Sequence, residues 1–319
     1  MAPVLAFDVY GTLVDPSGMV DHLRHYTGDD ADAISALWRQ KQVEYAFRRG
    51  LMRQYADFGT CTRQALEFAF RSKGHTLDTW TGDALLQAYQ SLPAFSDAVH
   101  ALAALKPHYR LFAFSNGTPD AVERVLRNAG VRDHLEGVVS VHELGTFKPD
   151  PAVYSHAREA TAAGSDPLWL VSGNPWDVIG ARSAGLGAAW VQRDPATVFD
   201  PWDIEPSLTV QNLEELINAA SLYPATGEGL TEFLEIIELD SAREQEDNVD
   251  AKVVLITMHN TKGLEFDRVV ITGLEEGLFP RDDDPEELEE ERRLFYVAIT
   301  RARNELTPTS CRYRRLHGK

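Results

Sequence analysis

Short apolar runs that end abruptly in polar residues alternate with stretches of helical spacing over the first two thirds of this chain. The first run, Leu5-Ala6-Phe7, leads into the single carboxylate Asp8, and a Gly11-Thr12 turn follows. It predicts a buried parallel strand with Asp8 at its carboxyl end. Asp15-Pro16-Ser17-Gly18 is a turn cluster. From about residue 20 to 89 the pattern is helical. Trp38, Gln42, Tyr45 and Ala46 recur at helical spacing, as do Leu66, Phe68 and Phe70. With no strong strand there, this stretch predicts a helical insertion over the mouth of a crevice.

Strand and helix then alternate. The apolar run 109–114 ends in Ser115-Asn116-Gly117, and a helix is expected over 119–129. A short strand at 137–140 precedes a rigid loop, Phe147-Lys148-Pro149-Asp150-Pro151, and a helix from near Ala152. The run 169–171 ends in Ser172-Gly173-Asn174. Pro175-Trp176-Asp177 opens a helix carrying Ala181 and Ala184, and 187–191 reads as one more strand. This rhythm predicts a doubly wound parallel α/β sheet with helices on both faces.

Every polar cluster then falls at the carboxyl end of an expected strand: Asp8, Ser115-Asn116, Lys148, and Ser172 to Asp177. In an open α/β sheet those ends share one rim, where ligands bind. A lysine close to Asp8 would lower its pKa and keep it ionised, and an ionised, oriented carboxylate is a nucleophile. A second carboxylate serves as base for a water. The simpler alternatives are an Asp8 that only starts a turn and an Arg39 that, from spacing alone, is exposed and paired with a carboxylate.

Bulk properties narrow the classes. At 319 residues, one large or two ordinary domains are expected. A net charge of -18 argues against broad nucleic-acid or membrane-surface binding by the whole chain, leaving room for a local basic patch. Two cysteines, Cys61 and Cys311, make neither a disulfide framework nor a cysteine zinc site, and fit a reducing compartment. The first residues have no basic region and meet a charge by Asp8, unlike a signal peptide. No apolar run is long enough to span a bilayer. A cytoplasmic location without membrane partners is expected.

Residues 8–12, Ser115-Asn116, Lys148 and 172–177 resemble the four motifs of the haloacid dehalogenase superfamily. The resemblance covers about residues 1–222, with a helical cap at about 16–92. It implies the superfamily's Rossmann-like core. Most members are magnesium-dependent phosphatases with a second Asp two residues after the nucleophile. Here that position is Tyr10. The chain is more similar to the L-2-haloacid dehalogenase branch, with its Asp-x-Tyr-Gly-Thr motif and no metal. Trp38-Arg39-Gln40-Lys41-Gln42 with Glu44-Tyr45 also resembles that branch's cap helix.

The resemblance implies roles. Asp8 attacks C2 of a small 2-haloacid, expels halide and inverts the centre, and Asp177 activates water on the resulting ester. Lys148, Ser172 and Thr12 hold and ionise Asp8. Arg39 and Asn116 receive the halide, and Ser115 with backbone N–H groups binds the substrate carboxylate. Tyr10, Phe58 and Trp176 form an apolar wall. Tyr154, counted on the substrate side, supports the lysine and Asp177 together with Asn174. No cofactor is implied, and the resemblance points to a homodimer.

After about residue 223 the rhythm breaks at Tyr223-Pro224-Ala225-Thr226-Gly227. An apolar run at 253–256, a polar turn, a second strand at 268–272, an acidic loop and an amphipathic helix ending in Arg301 follow. Residues 228–312 resemble motifs V and VI of UvrD-like superfamily 1 DNA helicases. There Arg301 would reach the γ-phosphate of ATP, Glu265 would lie near the ribose, and Thr257 and His259 would face single-stranded DNA. No Gly-x-x-x-x-Gly-Lys-Ser/Thr loop occurs in the chain, so residues 223–319 read as a small, idle α/β helicase fragment. Nucleic acid is not expected as a partner without the missing helicase portion. Three functions follow: a metal-independent dehalogenase, a phosphatase of the same fold, or a helicase-associated ATP/DNA module with the N-terminal domain as passenger.

Overall fold

The structure, a computed structural model, describes residues 2–221, 266–272, 274, 279 and 285–310. The expectations for Thr257, His259 and Glu265 lie outside these residues. The chain separates into two compact units, Met1–Arg243 and Glu244–Lys319.

In the first unit, strand β1 (Val4–Phe7) leads into the cap helices α1 (Met19–Thr27), α2 (Ala31–Met52), α3 (Phe58–Ser72) and α4 (Thr79–Tyr89). Then come α5 (Ala98–Leu105), β2 (Arg110–Ser115), α6 (Pro119–Asn128), β3 (Gly137–Ser140) and α7 (Pro151–Ala160). β4 (Leu168–Ser172), α8 (Pro175–Ser183), β5 (Gly187–Val191), β6 (Leu208–Val210) and α9 (Leu213–Ser221) follow among the described residues. All six strands are parallel, in the order β3-β2-β1-β4-β5-β6. β1 is central, which is why its residues are apolar without alternation: Leu5 and Phe7 face one core cluster, Val4 and Ala6 the other. The first cluster takes in α5, α6, α9 and the cap, and the second takes in α7 and α8.

Helix starts follow local chemistry. Proline opens α6, α7 and α8, where its missing N–H has no partner to lose. Asp57 and Asp78 cap α3 and α4, accepting from the N–H groups of Thr60 (2.9 Å) and Thr81 (2.7 Å). Trp38, Gln42 and Ala46 bury one stripe of α2, as their spacing predicts, and Trp38 Nε1 donates to Thr62 O at 2.9 Å. Leu66 and Phe70 bury one face of α3. Phe68 lies two residues round the helix and is exposed, with Lys41 Nζ 4.8 Å above its ring. The cap leaves and re-enters the core through adjacent segments: Asp15 N–H donates to Pro93 O (2.9 Å) and Phe95 N–H to Leu13 O (3.0 Å).

Three elements of the first unit carry too little pattern to be read from the sequence. The Ala/Leu run of α5 has no polar interruption to set a period, and β6 has only three residues. α9 adds its apolar face beyond the last expected strand. Ala184 falls one residue past α8.

In the second unit, β7 (Phe266–Ile271) pairs in parallel with β8 (Ala302–Pro308), joined through α10 (Pro285–Ile299). The strand expected at 268–272 starts two residues earlier, and β8 was not anticipated.

Candidate active site

The rim forms because parallel register brings the strand ends level. Phe7 lies opposite Ala113 on one side and Val171 on the other, so Asp8 emerges between β2 and β4. Its N–H donates to Val171 O at 2.9 Å, which fixes the backbone under the carboxylate. The chain then turns through Gly11, whose φ of 87° lies where a side chain is strained. A Cβ at Gly173 would run into the Gly11 carbonyl, so these two loops meet backbone to backbone.

Three side chains hold Asp8, and a fourth, Tyr154, holds the carboxylate of Asp177 beside it. Thr12 Oγ1 donates to Asp8 Oδ2 (3.1 Å) and accepts from Gly173 N–H (2.8 Å). Asn174 Nδ2 donates to Asp8 Oδ2 (2.7 Å) and to Tyr10 O (3.1 Å). Lys148 Nζ donates to Asp8 Oδ1 (3.2 Å), to Asp177 Oδ2 (2.8 Å) and to Phe114 O (2.8 Å). Tyr154 OH donates to Asp177 Oδ1 at 2.8 Å. Lys148, Tyr154 and Asp177 are fully buried.

One ammonium thus serves two carboxylates. Burial pulls the Lys148 pKa down, but Asp177 and then Asp8 more than offset it, and the lysine ends above its ordinary value. Burial pushes the Asp177 carboxyl up, and Asp8 adds to this against the opposing lysine. Burial, with Asp177 beside it, raises the Tyr154 phenol well above its usual range, so it acts as a donor. Burial above all, then Tyr89, does the same for Tyr10.

The cap supplies Arg39. Its Nη2 donates to Tyr10 O (3.0 Å) and Asn174 Oδ1 (3.3 Å), and its Nη1 donates to Gln42 Oε1 (3.1 Å). It is partly buried and turned to the core rim, not an exposed arginine held by a carboxylate, because α2 lays that face over the strand ends. Gln42 is locked in turn: Nε2 donates to Thr62 Oγ1 (2.7 Å) and Oε1 accepts from Tyr89 OH (3.2 Å). Tyr89 stacks on Tyr10 with centroids 5.0 Å apart. Gln42 and Tyr89 were not singled out for the site. Gln42 lies one helical turn from Arg39, and that spacing was the available signal.

Other expected residues fall differently. Ser172 Oγ accepts from Asn174 N–H (3.1 Å), so it reaches Asp8 only through Asn174. The Asn174 side chain holds Asp8 rather than the lysine, while its carbonyl accepts from Asp177 N–H (3.0 Å) at the start of α8. Tyr154, counted on the substrate side, is sealed behind Asp177, because α7 packs it into the core beneath α8. Ser115 Oγ accepts from Gly117 N–H (3.2 Å), leaving its O–H as a donor. Asn116 Oδ1 accepts from Lys148 N–H (2.9 Å). Phe58 lies 6.2 Å from Phe147 and Trp176 lies 5.1 Å from Phe47, ring centroid to centroid, so both close the seam between cap and core. In the second unit, Arg301 Nε donates to Val297 O (3.0 Å) and Nη2 to Thr300 Oγ1 (2.9 Å), along the end of its own helix. Among the described residues no three His, Cys, Asp or Glu side chains are gathered to hold a metal, and no helix is long and apolar enough to cross a membrane.

The chain is similar to known proteins. The haloacid dehalogenase-like hydrolase family matches residues 3–185, and the UvrD-like helicase C-terminal domain matches residues 201–313. The chain is 36% identical to an (S)-2-haloacid dehalogenase of Pseudomonas sp. (strain YL), over 67% of this chain and 92% of that one. It is 36% identical to haloacetate dehalogenase H-2 of Moraxella sp. (strain B), over 67% and 96%. It is also similar to the structure of L-2-haloacid dehalogenase from Xanthobacter autotrophicus with chloropropionic acid covalently bound. There the TM-score is 0.65 and identity 30%, covering 69% of this chain and 99% of that chain.

Proposed function

This chain belongs to the haloacid dehalogenase-like hydrolases and is an enzyme acting on carbon–halide bonds; we propose that it converts L-2-haloacids to D-2-hydroxyacids through an ester on Asp8, without a metal ion. Arg39 carries this reading. It brings a permanently charged, weakly hydrated guanidinium within hydrogen-bonding distance of Tyr10 O and Asn174, beside the carboxylate that would attack. A halide leaving C2 on the side away from Asp8 departs toward the cap, and Arg39 is the cap's cation at the rim.

In the proposed reaction Asp8 forms a C–O bond to C2 as the C–halogen bond breaks on the opposite face, and the centre inverts. Lys148, Thr12 and Asn174 fix the plane of the carboxylate, so little reorganisation is needed on attack. Halide leaves toward Arg39 and Asn116. The Ser115 O–H and neighbouring backbone N–H groups hold the substrate carboxylate, and Tyr10 lines the alkyl side. Asp177 then takes a proton from water as it attacks the ester. Its pKa, raised by burial, favours that role, and each of its oxygens keeps a lone pair beyond the bonds to Lys148 and Tyr154. The adduct then expels the 2-hydroxyacid as its alkoxide, which takes up a proton as it leaves; the remaining proton passes to solvent, and Asp8 and Asp177 return to carboxylates.

Two observations support the metal-free form. Tyr10 stands where the phosphatases carry a second Asp, and the Lys148 ammonium already lies between Asp8 and Asp177. A covalent adduct is also named in the similar Xanthobacter structure. In this reading residues from about 223 onward take no part in the chemistry, and nucleic acid is not a substrate.

Purified protein given L-2-chloropropionate is expected to release chloride at the same rate with and without EDTA. It should leave the D-enantiomer untouched and release no phosphate from p-nitrophenyl phosphate. A chelator-sensitive rate, or phosphate release without halide release, would establish the phosphatase reading instead.

A further inference from the structure

Arg193, just past the end of β5, joins parts of the chain that the reaction does not obviously link. Its Nη1 donates to Asp97 Oδ2 (2.6 Å) and its Nη2 to Thr12 O (2.6 Å). Its guanidinium carbon lies 4.0 Å from the centroid of the Phe95 ring. Asp97 Oδ2 also accepts from Leu213 N–H (2.7 Å), the start of α9. Thr12 sits on the outgoing cap segment, and Phe95 and Asp97 sit on the returning one. One guanidinium therefore grips both cap crossings and the nearby sheet edge.

The Thr12 carbonyl matters because of what its side chain does. Thr12 Oγ1 bridges Asp8 Oδ2 and Gly173 N–H. With the carbonyl held from below by Arg193, the residue cannot rotate without breaking a charge-assisted bond. The ion pair is mostly buried, and Asp97 Oδ1 and Arg193 Nε lack hydrogen-bond partners. A pair kept only for stability would be replaced at little loss by apolar side chains.

We propose that Arg193 and Asp97 are positioning residues for the nucleophile: they clamp the Thr12 carbonyl and so hold the Thr12 hydroxyl on Asp8. Neither touches substrate. The inference rests on the dehalogenase reading for its kinetic arm and on geometry alone for its structural arm.

The test is a double-mutant cycle on L-2-chloropropionate with the full chain. Arg193→Met should lower kcat between about tenfold and a hundredfold, the scale of an ångström of misplacement, with KM within about twofold. Arg193→Lys should recover part of the loss, since a point charge reaches one partner but not both. Thr12→Val alone should also lower kcat, and Arg193→Met should add nothing in that background. Because Arg193→Met leaves Asp97 buried and unpaired, the Arg193→Met/Asp97→Asn double variant is carried beside it and should fold with the same kinetic defect. In crystals of that double variant, Thr12 Oγ1 should have left Asp8 Oδ2. Multiplicative losses in the cycle, a rise in KM at constant kcat, or an unmoved Thr12 would overturn the proposal. A parent enzyme that releases no halide would overturn the dehalogenase reading, and the crystals would then decide the clamp by themselves.

Discussion

The two units of this chain both carry specific motifs, and they differ in what surrounds those motifs. In the first, six strands are covered on both faces, and Asp177 joins Lys148 to Tyr154 in a buried layer at the strand ends. In the second, the described residues include a parallel pair, β7 and β8, with Val270 62% and Leu306 37% exposed. Arg301 bonds the end of its own helix, and the phosphate loop that would give it work is missing from the sequence. A motif residue gains its chemistry from groups that the rest of the fold delivers to it. Asp8 has them.

The sharpest break of this contrast is Asp8→Asn. Removing the attacking charge should lower halide release on the order of 10³-fold or more, with the melting temperature unchanged. Retention of most activity in freshly purified variant would move the chemistry elsewhere.

Lys148→Met comes next and reads out in stability. It leaves two carboxylates facing each other, Asp177 fully buried, and should cost about 3–5 kcal/mol in urea unfolding. Asp177→Asn in the same chain should return part of that. The sign with pH is set by the lysine's raised value: its contribution is present below the ordinary 10.5 and is lost as pH climbs through the higher folded value. The parent's urea midpoint should therefore fall more steeply above that pH than the variant's. Parallel profiles would mean the lysine is not the shared cation.

Arg39→Lys tests the cap's contribution. A single ammonium cannot span Gln42, Tyr10 O and Asn174 together, so turnover should fall about ten- to a hundredfold. A rate within about threefold of the parent would return Arg39 to the surface-residue reading.

The smallest effect should come from removing residues 244–319. Halide release should stay within about twofold, well under 1 kcal/mol on the barrier, and the shorter chain should aggregate less, having lost its exposed apolar strands. The full chain should show no ATP hydrolysis with single-stranded DNA. Loss of dehalogenation on truncation, or DNA-stimulated ATPase from the full chain, would erase the contrast between the units.

Much of the first unit was legible because strand ends are local events. Asp8, Ser115-Asn116, Lys148 and Ser172 to Asp177 each follow an apolar run, and parallel pairing alone sends them to one rim. What sits behind the rim was not legible. Tyr154 lies mid-helix, and its burial against Asp177 depends on how α7 packs beneath α8. Arg193 and Asp97 are far apart in sequence and meet only because β5 runs beside β4 and the cap returns next to Thr12. The Ser172 hydroxyl turns to its neighbour Asn174, a short-range bond that a strand-end pattern does not distinguish from a longer reach.

The adjacent cap crossings, Asp15 on Pro93 and Phe95 on Leu13, have an evolutionary consequence. To the sheet, everything between them is one closed loop. Loop-closure entropy grows only logarithmically, so exchanging a connection of about eight residues for one of about eighty costs about 2 kcal/mol. A lineage can therefore lengthen, shorten or replace the cap while the machinery on the strand ends is inherited intact. Arg39, Gln42 and Tyr89 travel with that loop, whereas Asp8, Lys148 and Asp177 do not. In the proposed reaction, selection on which acid is accepted and selection on how the ester is made can then act on separate stretches of the same gene.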